Sequence, residues 1–301
     1  MASDPTGTRF SIRSGGITAE ITEVGAALRA LRVGGVDLVP GYPDDTATPT
    51  ASGVVLVPWP NRIRDGRWDD RGEIRQLAIT EPKFGNASHG LLRYAAYRAE
   101  SQSADALTLR ADVFPQTGYP YHLENRVIYR ITADGLHVTH AITNVGAGDA
   151  PVAVGTHPYF CISDVDTADL AVQLDAQTWF RLDDKNIPVA EEPVDAAHDL
   201  SVPRRIGHEA RDAAYAGLPR DDADRAQAHL LAPDGRRLTV WAGTGFDYLQ
   251  VFVTDRFPGH EVAVAIEPMT APADAFNSGR SLRRLASGAD WTLEWGVTYR
   301  A

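Results

Sequence analysis

Leu230-Leu231-Ala232-Pro233-Asp234-Gly235-Arg236-Arg237-Leu238-Thr239-Val240 reads as a β-hairpin. Two short apolar-rich segments flank Asp234-Gly235, a pair that tolerates the positive φ of tight hairpin turns. The same pattern recurs along the chain in both directions. Apolar and polar residues alternate at period two over 17–24, 107–113, 127–131, 136–142 and 170–174, with Ala133-Asp134-Gly135 as a turn before the fourth. Segments 248–253, 262–266 and 291–299 complete the set. Helical periodicity is scarce, and a short segment over 207–218 is its best candidate. The stretch 183–205, with its prolines and acids, reads as a long surface connection. Many strands separated by turn signals predict an all-β sandwich or barrel, here as one domain over 1–301.

Bulk properties limit what such a domain can do. The chain carries 29 basic and 40 acidic residues, a formal charge of −11. That balance argues against nucleic acid and anionic membrane as partners and favours a neutral small molecule or a protein. Cys161 is the single cysteine, so no intrachain disulfide forms. Met1-Ala2-Ser3-Asp4-Pro5 lacks the basic start and apolar core of a signal peptide. No run approaches the length of a membrane span. The expectation is a soluble cytoplasmic protein, monomer or homodimer.

Several chemistries are absent from the motifs. His208-Glu209 and His260-Glu261 lack the second histidine of HExxH, no CxxC exists, and Gly146-Ala147-Gly148 is followed by Pro151 and a strand-like run instead of a helix. Neither a metal nor a cofactor is expected. Four stretches place polar groups in apolar surroundings: Val57-Pro58-Trp59-Pro60-Asn61-Arg62-Ile63, Ser88-His89-Gly90, Val154-Gly155-Thr156-His157-Pro158-Tyr159-Phe160, and Val262-Ala263-Val264-Ala265-Ile266-Glu267-Pro268-Met269-Thr270.

The last is the most informative. Five consecutive apolar residues predict a strand buried on both faces, ended at Glu267 by Pro268. A carboxyl desolvated there has its pKa raised toward that of a useful base, although a strand-end Glu paired with an Arg would look the same. His157, held extended by Pro158, can give or take a proton near neutral pH, or can be a hydrogen-bonded core histidine. His89 carries the same two readings. Arg62 is a substrate clamp or an ion-pair partner, and Trp59 reads as core.

Asn61-Arg62-Ile63 with Gly66, His89-Gly90, His157-Pro158-Tyr159-Phe160, and Glu267-Pro268 followed by Ala275-Phe276-Asn277 together resemble the aldose 1-epimerase family, in the family's order. The resemblance implies a large antiparallel β-sandwich of the galactose mutarotase type with few short helices. It also implies a sugar substrate whose α and β anomers interconvert without metal or cofactor. It assigns Glu267 as general base at the anomeric hydroxyl and His157 as general acid at the ring oxygen. Arg62, His89 and Asn61 become sugar-binding groups. The family's binding aspartate maps to Asp212, ahead of Tyr215, with Asp247-Tyr248 as competitor. The family's Gln shortly after the base is replaced here by Met269-Thr270.

Two other activities fit the same motifs. A hexose-6-phosphate 1-epimerase would need a basic pocket, for which Arg64, Arg67 and Arg93 are candidates. A non-catalytic sugar-binding or sensing protein would have no use for an acid–base pair. For the pair itself, the productive form has Glu267 ionised and His157 protonated; with the two groups across one sugar ring, mutual attraction is expected to outweigh burial, so that the activity plateau reaches neutral pH.

Overall fold

The computed structural model describes residues 4–301. Two large antiparallel sheets dominate. One has nine strands, and its centre is built from the alternating segments: Ala106–Val113, Leu123–Ile131, Gly135–Asn144, Asp290–Arg300, Arg237–Ala242 and Ala226–Leu231, in that spatial order. The hairpin between the last two closes as its sequence requires. Leu230 faces Leu238, the Ala232 N–H donates to the Arg236 carbonyl, and Gly235 adopts φ 95°.

The second sheet has eight strands. Pro188–Pro193, Thr178–Leu182, Arg211–Ala216, Tyr248–Thr254, Ala263–Met269, Gly155–Thr156 and Val55–Leu56 lie side by side, and Tyr159–Phe160 also pairs with Ala263–Met269. Both sheets turn one face to a shared core. Val127, Tyr129, Val138 and Trp295 from the first pack in one cluster with Leu249, Val251, Val264 and Ile266 from the second. That makes the protein an antiparallel β-sandwich. Helix is confined, among the described residues, to Ala275–Ser278 and three single 3-10 turns. No helix of the described residues is long and apolar enough to cross a membrane.

Three local expectations are corrected. The segment 207–218 is not helical: Arg211–Ala216 is a central strand of the eight-stranded sheet. Its alanines favour helix locally, but Ala213 and Tyr215 alternate into the core, and pairing on both edges outweighs propensity. The stretch 183–205 is not a bare connection, because Pro188–Pro193 and Leu200–Arg205 are the outermost strands of the two sheets. Edge positions tolerate prolines and acids, which disguised them.

The third correction concerns Glu267, which does not end its strand; pairing continues to Met269. Ile266 and Thr270 send their N–H groups to Pro158 and Val154 on one edge. Pro268, midway between them, faces that same edge opposite Thr156, so the ladder lacks one donor there and resumes at Thr270.

Candidate active site

Alternation along three neighbouring strands sorts core from site. In Ala263–Met269, Val264 and Ile266 face the shared core, so Ala265, Glu267 and Met269 face the other way. In Tyr248–Thr254, Leu249, Val251 and Val253 face the core, leaving Gln250 and Phe252 beside Glu267. In Arg211–Ala216, Ala213 and Tyr215 take the core side and Asp212 the site side.

Register then sets the order across the sheet. Gln250 lies opposite Glu267, and Asp212 opposite Phe252. Gly155 pairs with Met269 and Tyr159 with Ala265, so His157, midway between them, falls opposite Glu267. His157, Glu267, Gln250 and, on the diagonal, Asp212 form a polar row over four adjacent lines of chain. A Gln250 Nε2–H donates to Asp212, and Gln250 Oε1 accepts from Asn61 Nδ2 at 3.5 Å.

Loops cover this face and make a cleft of about 270 Å³. One wall is a short ladder in which Arg62 pairs with Ser88 and Ile63 with Ala87. The His89 N–H donates to the Asn61 carbonyl at 2.7 Å, which brings Asn61, Arg62 and His89 to one wall. Gly90 (φ 72°) makes that approach possible, since a Cβ there would meet the Val57 carbonyl oxygen at 2.2 Å. Thr50, Asn61 and His89 hold positive φ without being glycine, and all three line the cleft. Such conformations persist only where surrounding contacts enforce them.

His157 Nε2 lies 3.3 Å from Glu267 Oε1, and both residues are buried, at 4% and 2% exposure. Burial raises the Glu267 carboxyl well above its usual range; Asp212 adds to the rise and Arg62 opposes it. Burial lowers His157 to about 3, helped by the charges of Arg93 and Arg62. Both directions run against the expectation that attraction would dominate, and both disfavour the doubly charged pair. Losing two ionic hydration shells costs more than one contact at this distance returns. His89 is likewise kept neutral by burial, with its ring centroid 5.3 Å from that of His157.

Arg62 is fixed by its own partners. Its guanidinium donates to both Glu81 oxygens, at 2.8 and 3.1 Å, and to Asn61 Oδ1 at 3.0 Å, with Asp212 Oδ2 3.6 Å away. The structure thus brings Glu267, His157, Arg62, His89, Asn61 and Asp212 to one cleft. Asp247 is not among them: it is exposed and paired with Arg220 at 2.7 Å. Trp59 is core, edge-on to Phe276. Among the described residues no group of three or more His, Cys, Asp or Glu is placed to hold a metal.

Sequence reasoning missed Gln250, Glu81 and Arg256. Gln250 had a readable signal, as the one polar side chain in Tyr248-Leu249-Gln250-Val251-Phe252-Val253. Glu81 and Arg256 sit in turn-rich segments where a charged residue is unremarkable.

A family model described as aldose 1-epimerase matches residues 8–298. An uncharacterized Escherichia coli protein, YihR, is 30% identical over 293 residues, covering 97% of this chain and 93% of that one. Among solved structures, an aldose epimerase homologue from C. elegans superposes with a TM-score of 0.85 at 18% identity, covering 97% of this chain and 98% of the other. A galactose 1-epimerase from Lactobacillus acidophilus does so with 0.79 at 18% identity, covering 97% and 94%. These structural likenesses speak for the fold, and the family match runs through every strand that carries the cleft. The chain belongs to the aldose 1-epimerase family.

Proposed function

We propose that the protein interconverts the α and β anomers of an aldohexose by opening and reclosing the hemiacetal ring. The observation that carries this reading is the His157–Glu267 contact at the floor of a sugar-sized cleft. Mutarotation removes a proton from the C1 hydroxyl and adds one to the ring oxygen, C1–O5 breaks, and a free aldehyde forms. After rotation about C1–C2 the transfers run backwards. A pair holding one proton supplies both transfers with no net change.

Glu267 is the base at the C1 hydroxyl and His157 the acid at the ring oxygen. That division requires the proton on His157, whereas burial of both groups favours the uncharged forms. A sugar accepting from His157 at O5 and donating from O1 to Glu267 stabilises the ionic arrangement, and the nearby Arg62 favours the carboxylate. Arg62, His89, Asn61 and Asp212 hold the ring so that both transfers occur in one pose. Glu81 fixes Arg62, and Gln250 links Asp212 to Asn61. A binding protein would gain nothing from burying an acid–base pair at such cost. The test is polarimetry of freshly dissolved α-anomers of glucose and galactose. Relaxation faster than the buffer blank is expected; relaxation at the blank rate for every aldose tried rejects the reading.

A further inference from the structure

The charges in the cleft do not balance locally. Arg62 is spent on Glu81 and Asp212. Glu267 faces His157 at 3.3 Å. Two further guanidiniums line the same cleft, those of Arg93 and Arg256. Among the described residues neither has a carboxylate within ion-pair distance. Arg93 reaches the Ser88 carbonyl at 3.4 Å and the Tyr94 hydroxyl, and its buried Nε–H has no partner. Arg256 reaches only Thr254 Oγ1, at 3.5 Å from Nε. The other basic residues considered for such a pocket do not serve: Arg64 is paired with Asp183, and Arg67 lies outside the lining.

Resting on the epimerase reading, we propose that the sugar this cleft prefers carries an oxyanion, held by Arg93 and Arg256. An arginine without a carboxylate has its donor fork free for a phosphate ester or a carboxylate. The location adds weight. The protein as a whole is acidic at −11, so two guanidiniums without carboxylate partners on one cleft lining, Arg93 half-buried and Arg256 exposed, are a local feature that favours an anion against the general field. Chemistry fixes where the anion sits on the sugar. Mutarotation needs a free C1 hydroxyl, so the substituent is on another carbon. An anionic sugar departs from the neutral small molecule or protein that the overall charge favours.

The experiment compares glucose, glucose 6-phosphate and glucuronate by polarimetry, each above its own blank. For the wild type, kcat/KM for at least one anionic sugar should exceed that for glucose by about tenfold or more, the scale of one charge-assisted contact. Which anion wins tells a phosphate ester from a carboxylate. Arg93→Gln and Arg256→Gln should each reduce the anionic-to-neutral ratio by about tenfold, mainly through KM, and added salt should shrink it as well. Glucose turned over as well as both anions, or a ratio unmoved by both substitutions, overturns the oxyanion proposal and leaves the epimerase reading standing. Failure to accelerate any of the three overturns the epimerase reading itself.

Discussion

His157 lies directly opposite Glu267 across a single strand pairing, so two residues 110 positions apart meet because Gly155 is registered against Met269 and Tyr159 against Ala265. A slip of one residue would turn Glu267 into the core and Ile266 into the cleft. The His157–Glu267 contact is thus set by sheet register, which the packed core between the two sheets holds in place.

The pH profile follows from the pair's shifted pKa values. The proposed mechanism needs one proton shared between the two groups. On the acid side it should fall only as His157 gains a second proton for the pair, near its lowered value of about 3. On the alkaline side it should fall as Glu267, raised by burial, loses the only one. The expected kcat/KM profile is a broad plateau through neutral pH, and the alkaline limb should vanish from the residual rate of Glu267→Gln. A narrow bell centred near pH 5 would contradict these shifts.

Asp212 and Asp247 separate cleanly. Asp212→Asn should lower kcat/KM by about tenfold, the scale of a hydrogen bond to a charged group. Asp247→Asn removes an exposed pair with Arg220 and should change kcat/KM by less than about twofold. The opposite ranking in steady-state kinetics would move the binding site.

Gly90→Ala tests the wall that carries His89. A Cβ there meets the Val57 carbonyl at 2.2 Å in a backbone at φ 72°, so a loss of about 1–3 kcal/mol is expected in urea unfolding. Unchanged stability would mean that the loop does not need this approach.

Chelation should leave the rate alone. No group of metal-ligating side chains is assembled among the described residues, so exhaustive EDTA treatment is expected to preserve activity. Loss of rate restored by Zn²⁺ or Mn²⁺ would contradict a mechanism run by side chains alone.

Much of the fold and of the candidate site is legible in the sequence. Period-two alternation placed the central strands, because their two faces meet different environments. The run Val262–Ile266 announced a strand covered on both sides, and the structure covers it with core on one face and loops on the other. Alternation failed at Arg211–Ala216, where small alanines hide which face is buried, and at Pro188–Pro193 and Leu200–Arg205, where an edge strand has one partner and looks like a loop. The cleft's six candidates were readable from local motifs. Gln250, Glu81 and Arg256 were not singled out, since their importance lies in which strands and loops become neighbours. The direction of the pair's shifts is not legible for a related reason: sequence shows two opposite charges, while only packing shows how dry they are.

The most direct measurement is the mutarotation rate of Glu267→Gln beside its affinity for the same sugar. The account predicts that sugar binding, followed by calorimetry, survives while the rate falls by at least about 10²-fold, the scale of one general base. A variant that binds sugar and still turns it over near the wild-type rate would contradict the assignment of Glu267, and with it the proposed chemistry of the cleft.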